Sequence, residues 1–436
     1  MRKHFDDQIA QLGEQMMAMG ALVENTIERA IRALQTDDMA EAAAIRDGDH
    51  IVDEKEREVE AMCIHMLLQQ QPVARDLRTI SAALKMITDM GGRFAIITAT
   101  LPPVIKYFMA RYGLIEGEKY VYKDFSGTNT DKRHMVDMYN GPINTSAVID
   151  DARNKKVLII CNTIKSAQNI YAELKEKCGN IHMLHSHYTK EDRRMIEESL
   201  TAFSDDVDAV GIWITTQIVE ASMDIDFDVL YTEMSTADSL LQRMGRCNRR
   251  YRYTPETPNI HVYCTGNHTV YDKEIYQRSI DKLQSYLGAF FIEADKKKYI
   301  DEVYCVDELR ETDYFKKIEK KLSFFDNLNP LDYSKEQADE KFRDIQNISI
   351  IPENVYNANK ELLDNCFDML GDRYTGRETK RILREKIRNK TMSVNKWRGG
   401  ILPDFVDKSA IGNETLDIHR AICKYDFDKE GCTGLG

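Results

Sequence analysis

Long apolar runs are missing from this sequence of 436 residues. A helix that crosses a bilayer needs ~20 mostly apolar residues in succession, and no stretch approaches that length. The N-terminus, MRKHFDDQIAQLGEQ, also lacks the apolar core of a secretory signal peptide. These absences argue against a membrane span, and we expect a cytoplasmic protein.

Paired cysteines and excess positive charge are missing as well. The 9 cysteines include no CxxC pair, which favours reduced thiols over a disulfide framework or a zinc site. Lysine and arginine total 60 against 72 aspartates and glutamates, for a formal net charge of -12. Binding to nucleic acid would therefore depend on a local basic groove.

A Gly-Lys dipeptide is absent too. The phosphate-binding loop G-x-x-x-x-G-K-[ST] needs that lysine to reach the phosphates of a nucleotide. This chain therefore contains no phosphate loop of that kind.

Glycine and proline are scarce over residues 1–90, where Pro72 is the only proline. Apolar residues recur there at helical spacing, and segments near 37–70 and 73–90 repeat the pattern. Pro72 stands where a third helix would begin. The first apolar stripe comprises Ile9, Leu12, Met16, Met19, Val23, Ile27, Ile31 and Leu34. The pattern predicts an all-α bundle fragment.

After Gly92 the pattern changes to short apolar runs that alternate with helical segments. The runs are VLIICNT, IHMLHSH, AVGIWITT, DVLYTE and, near Gly266, NIHVYCTG. Runs of this kind predict an α/β fold, a parallel sheet covered by helices on both faces. Beyond residue 270 the chain is richer in charge and contains helical stretches such as RETKRILREKIRNK, which predict a helical accessory domain.

The stretch QRMGRCNRR, from Gln242 to Arg250, holds several arginines on a short segment. An arginine beside a transferring phosphoryl group neutralises charge that develops in the transition state. Arg246 and Arg249 are three positions apart, so on a helix they would share a face and reach one target. The alternative is a solvated basic helix.

The stretch ITTQIVEASMDIDFDVL begins at Ile214, at the end of an apolar run. Ligands of open α/β sheets collect at the carboxyl ends of the strands. Thr215 and Thr216 are therefore candidates to meet phosphates, and Asp224 could meet a ribose or the arginines. The alternative is that Asp224, Asp226 and Asp228 form a solvated acidic turn.

Hydroxyls also follow the apolar run RFAII, in the stretch TATLPP that ends at Pro103. Thr98 and Thr100 at a strand end could sense a phosphate or link it to a neighbouring groove. The alternative is a simple strand-to-turn passage punctuated by the two prolines.

In order and spacing these stretches resemble the later motifs of superfamily 2 helicases. TATLPP is similar to motif III, TTQIVEASMDID to motif V and QRMGRCNR to motif VI, while VLIICNT resembles the start of a second RecA-like domain. The succession of TQIVEASMDIDFDVLYTE and DSLLQRMGRCNR most resembles the CRISPR-associated helicase-nucleases of type I systems, over about residues 91–436. Several motifs in the correct order make this resemblance more specific than a lone glycine pattern.

The resemblance implies a domain organisation, cofactors and partners. It implies a remnant of a first RecA-like domain at 91–130, a second RecA-like domain at 131–270 and a helical accessory domain at 271–436. The implied cofactors are ATP and Mg²⁺. The implied partners are single-stranded DNA and the CRISPR surveillance complex that flags it.

The resemblance also implies roles for single residues at the nucleotide. Arg246 and Arg249 would contact ATP, and Gln242 would either contact the nucleotide or bridge motifs. Three further residues would line the interface between nucleotide and DNA: Thr216, Glu220 and Asp224.

On the DNA side, the resemblance implies that Thr98 and Thr100 couple hydrolysis to strand movement. His185 to His187, with Arg193 and Arg194, would flank the DNA backbone, a salt-sensitive type of contact. The His-x-His pattern is also typical of metal ligands, but without a third ligand nearby we expect no metal site.

Parts that such a helicase-nuclease needs are missing. Besides the phosphate loop, it needs an acidic pair at the end of a buried strand to hold Mg²⁺. Asp301-Glu302 follows motif VI and is preceded by three lysines, so we interpret it as unrelated. No histidine is followed by aspartate, which argues against the His-Asp dyad of the nuclease domain. We therefore expect a helicase fragment that is inactive alone.

The front of the chain resembles a different family. IRDGDHIVDEKEREVE and QQQPVARDLRTISAALKMITDM, which ends at Met90, are similar to the first repeat of PhoU, the helical regulator of phosphate uptake. The metal-binding E-x-x-x-D of that family would fall at Gly91 and Ala95, so it is missing here, and Asp89 alone is a weak ligand candidate. We interpret Gly91-Gly92 as a seam between two truncated proteins. A bundle cut short in this way should expose apolar surface.

Two functions follow from these resemblances. The leading interpretation is a fragment of a CRISPR-associated DNA helicase, because that resemblance covers most of the chain. The alternative is a PhoU-like regulator that acts by protein contact, with phosphate-transport or sensor-kinase components binding residues 1–90.

Overall fold

The computed structural model describes residues 2–36, 38–48, 59, 101–111, 122–124, 130–220, 223–265, 270–326, 347–372 and 374–395. Nearer the C-terminus it describes 401–402, 406–411, 414–421, 423, 425–427 and 434–435. The predicted third helix near 73–90, the seam at Gly91-Gly92, and Thr98 and Thr100 lie outside the described residues. No helix within the described ranges combines the length and apolarity that a bilayer crossing requires.

Two N-terminal helices pack against each other. Helix α1 covers Arg2–Thr36 and α2 covers Met39–Asp47. The Asp38 side chain caps α2, because it accepts hydrogen bonds from the next helical amides, which have no partner within the helix. Arg29 on α1 pairs with Glu41 on α2 at 2.7 Å. This all-α start agrees with the sequence prediction.

The apolar stripe of α1 is only partly covered. Met19 is fully buried, whereas Ile27, Ile31 and Leu34 are 54%, 52% and 84% exposed. These exposed side chains agree with the expectation that the shortened bundle exposes apolar surface.

A six-stranded sheet forms the centre of the molecule, with strand order β1-β6-β5-β2-β4-β3. Every neighbouring pair in it is parallel. The strands are β1 (Val136–Asn140), β2 (Lys156–Ile160), β3 (Ile181–Leu184), β4 (Gly211–Thr215), β5 (Val229–Glu233) and β6 (Ile260–Cys264). The predicted parallel α/β sheet is thus confirmed.

Helices cover both faces of this sheet. After α3 (Pro103–Arg111), the helices between strands are α4 (Thr145–Ala152), α5 (Ile164–Lys175), α6 (Lys190–Asp205) and α7 (Ala237–Met244). Successive residues of β2 belong to opposite cores: Ile159 packs with α4 and α5, while Leu158 packs on the other face. Burial on both faces explains why the strands read as continuous apolar runs.

Four further helices follow β6. They are α8 (Lys273–Leu283), α9 (Glu293–Val303), α10 (Val306–Leu309) and α11 (Asp313–Asp326). Tyr299 of α9 and Leu283 of α8 are fully buried in the same core as Leu158 of the central sheet. The predicted change of domain at 270 therefore falls inside one continuous hydrophobic core.

The C-terminal region is not wholly helical. It contains α12 (Glu353–Ala358), α13 (Lys360–Gly371) and α14 (Arg377–Asn389), but also a second sheet. That sheet has the order β10-β11-β7-β8, with β9 paired to β11. Its strands are β7 (Asn347–Pro352), β8 (Met392–Asn395), β9 (Ile401–Leu402), β10 (Val406–Ile411) and β11 (Glu414–Ala421), and a separate ribbon joins β12 (Tyr425–Asp426) to β13 (Gly434–Leu435). The helical prediction missed these strands because they are short and mix polar with apolar residues.

Candidate functional site

The carboxyl end of β4 leads into a short 3-10 turn, Gln217–Val219, and the predicted phosphate-facing hydroxyls of Thr215 and Thr216 come directly before this turn. Thr215 is fully buried, and its hydroxyl donates to the carbonyl of Ile159 at 3.1 Å, so it bridges strands. Thr216 is 4% exposed and precedes the turn without capping it through its side chain. Of this pair, Thr216 alone keeps a hydroxyl that is not committed to a neighbouring strand.

Arg243 of α7 links this turn to two other strand ends, although the sequence motif did not single it out. Its side chain is fully buried. The guanidinium donates to the Glu220 carboxylate, the Thr232 hydroxyl, the Glu233 carbonyl, the Asn162 side chain and the Tyr271 hydroxyl, at 2.6–3.0 Å. An arginine presents a fixed fork of donors, so this set of acceptors holds β2, β5, α7 and the turn in one arrangement.

The partners of Arg243 are connected to one another. Ser239 donates to the same Glu220 oxygen at 2.8 Å, and Gln217 donates to the Asn162 carbonyl at 2.7 Å. At the neighbouring strand end, the Glu233 carboxylate accepts from the Asn162 amide at 2.5 Å. Burial raises the pKa of Glu220, and the charge of Arg243 opposes that rise. A buried network of this type is stable only while each polar group keeps its partner.

Arg246 lies next to this network but not on a helix. Helix α7 ends at Met244, with Gly245 as its C-cap. The Arg246 Nε donates to the Val219 carbonyl at 2.7 Å, and its Nη2 donates to the Glu220 carbonyl at 2.6 Å. Burial lowers the pKa of Arg246 to about 10, so the side chain stays charged at neutral pH. Arg246 therefore clamps the turn after β4.

Arg249 is the more accessible arginine. Its side chain is 40% exposed and forms an ion pair with Asp224, whose side chain is 72% exposed, at 2.8 Å. Its backbone amide donates to the Asp226 carboxylate at 2.7 Å. The predicted neighbourhood of Arg246, Arg249 and Asp224 is therefore present.

The prediction that Arg246 and Arg249 share one helical face is wrong. Phe227 forms a β-bridge with Cys247, with the Phe227 amide donating to Arg246 and the Asn248 amide donating to Phe227. Asn248 adopts a φ of 45°, the left-handed region that a continuing helix excludes. This pairing pulls the chain out of the helix, so Arg246 is buried while Arg249 faces solvent.

The acidic triplet is divided between two environments. Asp224 is exposed, whereas Asp226 is 2% exposed. The Asp228 carboxylate accepts from the Lys156 amide at 2.8 Å. The alternative of a solvated acidic turn is therefore wrong for Asp226. Gln242, the remaining nucleotide-side residue, is half-buried on α7 beside Arg243.

The residues predicted to flank DNA lie around the start of α6. His185 is fully buried, and its ring stacks on Tyr188 at 4.4 Å between centroids. A buried ring does not reach an external strand, so the geometry argues against a DNA contact by His185. Arg193 is partly exposed and donates to Glu197 at 2.6 Å.

The C-terminal region covers this same corner. The Tyr425 hydroxyl accepts from the Thr189 amide at 3.1 Å and donates to Asp192, while the Lys190 amide donates to the Thr391 carbonyl at 3.0 Å. No group of three or more His, Cys, Asp or Glu suited to a metal occurs in the ranges that the structure describes.

Asn162, Glu233 and Arg243 are the site residues that sequence reasoning did not select. A signal for two of them was present, because Asn162 follows the run of β2 and Glu233 ends β5, at the edge where ligands collect. Arg243 lies among Leu240, Leu241 and Met244, so its burial became visible only in the fold.

These features define a class: a RecA-like parallel α/β domain in which one arginine after α7, Arg246, binds the turn after β4 and another, Arg249, lies exposed beside Asp224. Residues 153–252 match the family model of the C-terminal part of the CRISPR-associated nuclease/helicase Cas3, and residues 16–91 match the PhoU domain. Both resemblances are thus confirmed: one stretch of the chain matches the PhoU domain and a later stretch matches the C-terminal family model of Cas3.

Individual relatives agree with these two matches. The CRISPR-associated nuclease/helicase Cas3 of Methanothermobacter thermautotrophicus is 26% identical over a 340-residue alignment that covers 69% of this chain and 40% of that protein. The PhoU homolog of Clostridium acetobutylicum is 34% identical over 90 residues, 20% of this chain and 41% of that protein. The chain thus spans less than half the length of either relative.

Solved structures agree in fold. The crystal structure of T. fusca Cas3 with ATP superimposes with a TM-score of 0.62 at 16% identity, covering 84% of this chain and 53% of that one. A chain of a pre-nicking CRISPR RNA-guided surveillance complex gives a TM-score of 0.57 at 14% identity, covering 85% of this chain and 56% of that one.

Proposed function

We propose that this chain is the nucleic-acid-binding and translocating half of a CRISPR-associated, ATP-dependent DNA helicase. The observation that carries the proposal is Arg249, a solvent-accessible arginine held by an exposed carboxylate, Asp224, beside the turn that follows β4. Single-stranded DNA and a CRISPR surveillance complex are the proposed partners. Their support is the similarity to Cas3 proteins and the likeness in fold to a chain of such a complex.

The two arginines have different roles in this proposal. Arg246 is a positioning residue, because its donors are used by the carbonyls of Val219 and Glu220. Arg249 would leave Asp224 and donate to phosphate oxygens of ATP, since a guanidinium matches phosphate at least as well as carboxylate. Arg243 would hold the turn, β5 and α7 in fixed relative positions while Arg249 exchanges Asp224 for phosphate.

The residues at the carboxyl end of the central sheet supply only part of an ATP site. Arg249 is one exposed cation for the phosphates of ATP, but a phosphate loop is absent from the sequence. The described residues also contain no acidic cluster suited to Mg²⁺. The proposal therefore requires a phosphate cradle from outside these 436 residues, and we expect no ATP hydrolysis by this chain alone.

The rate of ATP hydrolysis tests the proposal. The purified chain is assayed with ATP and single-stranded DNA, alone and with a separately produced first RecA-like domain of a Cas3 relative. We expect hydrolysis only in the mixture, with Arg249→Ala lowering the rate by about 10³-fold or more, the effect of removing an arginine that acts on the phosphoryl group.

Arg250→Ala is the matched control, because Arg250 is 39% exposed and also bound to a single carboxylate, Asp205 at 2.7 Å. We expect it to keep the wild-type rate. Equal rates for both variants would overturn the role of Arg249. Robust hydrolysis by the chain alone would show that the missing loop is not needed.

A second candidate function is PhoU-like regulation by protein contact. Its support is the PhoU match of residues 16–91 together with the exposed apolar side chains of α1. A phosphate-transport ATPase or sensor kinase should then retain the chain in a pull-down and lose it when residues 1–90 are deleted. Retention of the deleted chain would contradict this function.

A further inference from the structure

A stack of aromatic rings crosses three neighbouring strands on one face of the central sheet. Tyr139 of β1 stacks on Tyr263 of β6 at 5.0 Å between centroids, and Tyr231 of β5 stacks on His261 of β6 at 4.6 Å. The strand register places each pair directly opposite. These are cross-strand aromatic pairs, which stabilise the sheet edge.

The stack ends at Tyr139, whose aromatic ring is partly exposed to solvent. Strand β1 is the edge of the sheet, so no further strand continues the stack beyond Tyr139 in the part of the chain that the structure describes. Tyr139 is 37% exposed, whereas Tyr263 and Tyr231 are 5% and 2% exposed. One π-face of Tyr139 is therefore held by its neighbours while the ring still meets solvent.

A carboxylate lies beside this ring. Asp137 is two residues before Tyr139 on the same face of β1, and it accepts a hydrogen bond from the Tyr139 hydroxyl at 2.9 Å. Its other oxygen accepts from the Met138 amide at 2.9 Å. An ionised carboxylate has more acceptor sites than these two bonds use, so it can accept further donors.

Within the ranges that the structure describes, no lysine or arginine forms an ion pair with Asp137. Lys155 is paired with Asp151 at 2.7 Å, and Arg153 lies 3.4 Å from Asp150. Burial lowers the pKa of His261, which keeps that ring uncharged at neutral pH. A negative charge next to an open π-face suits a planar cation and repels a phosphate.

We propose that Tyr139 and Asp137 form a receptor for an arginine side chain on the surface of a protein partner. The guanidinium would stack on the open face of Tyr139 and donate hydrogen bonds to Asp137. Lysine has no flat face to stack, and a nucleic acid would bring its phosphates close to the carboxylate. This surface is separate from the turn after β4, so the proposal does not depend on the proposed helicase function.

Fluorescence anisotropy with the full chain tests this receptor. The probe is a labelled peptide with alternating glycine and arginine, compared with peptides in which lysine or uncharged citrulline replaces arginine. We expect binding in the order arginine, lysine, citrulline. Tyr139→Ala and Asp137→Asn should each lower the affinity for the arginine peptide about 2-fold to 30-fold. Tyr139→Phe should lower this affinity less than Tyr139→Ala does.

Matched controls separate the receptor from general attraction of a basic peptide to an acidic chain. Tyr374 is 87% exposed and the Asp307 side chain 90% exposed, so Tyr374→Ala and Asp307→Asn remove the same groups elsewhere on the surface. We expect both to bind like wild type. If Tyr139→Ala unfolds on heating at a lower temperature, the exposed-edge variant Asp137→Asn still decides the result.

Two outcomes would overturn the proposal. One is equal affinity of the arginine peptide for wild type, Tyr139→Ala and Asp137→Asn. The other is that Tyr139→Ala loses binding to an oligothymidylate but binds the arginine peptide like wild type, which would identify Tyr139 as a stacking site for nucleobases.

Discussion

The central sheet and the N-terminal helices bury their apolar residues in different ways. Each of β2, β4 and β5 is buried along its whole length, because helices cover both faces of the sheet. Helix α1 packs on α2 and leaves Ile27, Ile31 and Leu34 exposed. A helix of 35 residues satisfies its backbone hydrogen bonds internally, so it forms although part of its apolar stripe is exposed. Parallel strands, in contrast, need helices packed on both faces of their sheet.

The largest loss of stability is expected from Arg243→Ala, in the central sheet domain. Removing one partner of a buried ionic network leaves the others unpaired, and Arg243 bonds to both Glu220 and Asn162. We expect a loss of about 3–5 kcal/mol in the free energy of unfolding, measured by urea denaturation. Arg250→Ala, on the exposed face, is the control. A loss as small as that of the control would show that the network contributes no stability.

The second test compares one isoleucine in each region. Ile214 of β4 is fully buried and Ile31 of α1 is 52% exposed. Ile214→Ala should cost about 2–5 kcal/mol of unfolding free energy, whereas Ile31→Ala should stay within about 0.5 kcal/mol. Equal losses would mean that a partner covers α1 in solution, and sedimentation of both variants would then show whether a larger complex is present.

The third test uses pH and concerns the sheet alone. His134 precedes β1, is fully buried and bonds through Nε2 to the Cys247 carbonyl at 2.8 Å. Burial holds the pKa of His134 well below its ordinary value of 6.5. The unfolded chain then binds the additional proton, so stability is present above pH 6.5 and falls as the pH drops below it.

The expected size is a loss of about 1.4 kcal/mol per pH unit below 6.5. Urea denaturation at pH 7.5 and pH 5 would measure it, and His134→Gln should lose this part of the pH dependence. A variant with an unchanged pH profile would show that other groups dominate the acid sensitivity of the sheet.

Much of the sheet could be predicted from the sequence. The runs around Leu158, Ile214 and Leu230 are apolar because both faces of a parallel sheet are buried, and a local pattern records that burial directly. The C-terminal strands were missed because residues such as those of VDKSAI and ETLDIHRA mix polar with apolar positions. β10 pairs with β11, its neighbour in sequence, but β7, the parallel partner of β11, lies far back in the chain, so no local window contains that pairing.

The candidate site was predictable as a neighbourhood but not as a geometry. Motif spacing indicated that the arginines lie near Thr216 and Asp224; in the structure Arg249 pairs with Asp224, and Arg246 donates to the Glu220 carbonyl after β4. The helix expected for both arginines is replaced by the bridge between Phe227 and Cys247. A bridge between two distant segments competes with helix formation only after the chain has folded.

By itself, the sequence determined the strand runs, the α/β class, and the presence of two unlike regions, because periodicity and composition are local properties. Only the tertiary structure decided which arginine is buried, which carboxylate is exposed, and which histidine is buried. Those outcomes depend on what packs against each side chain. Arg243 and Arg249 have the same side chain in the same short motif, yet one is enclosed by three strand ends and the other meets solvent.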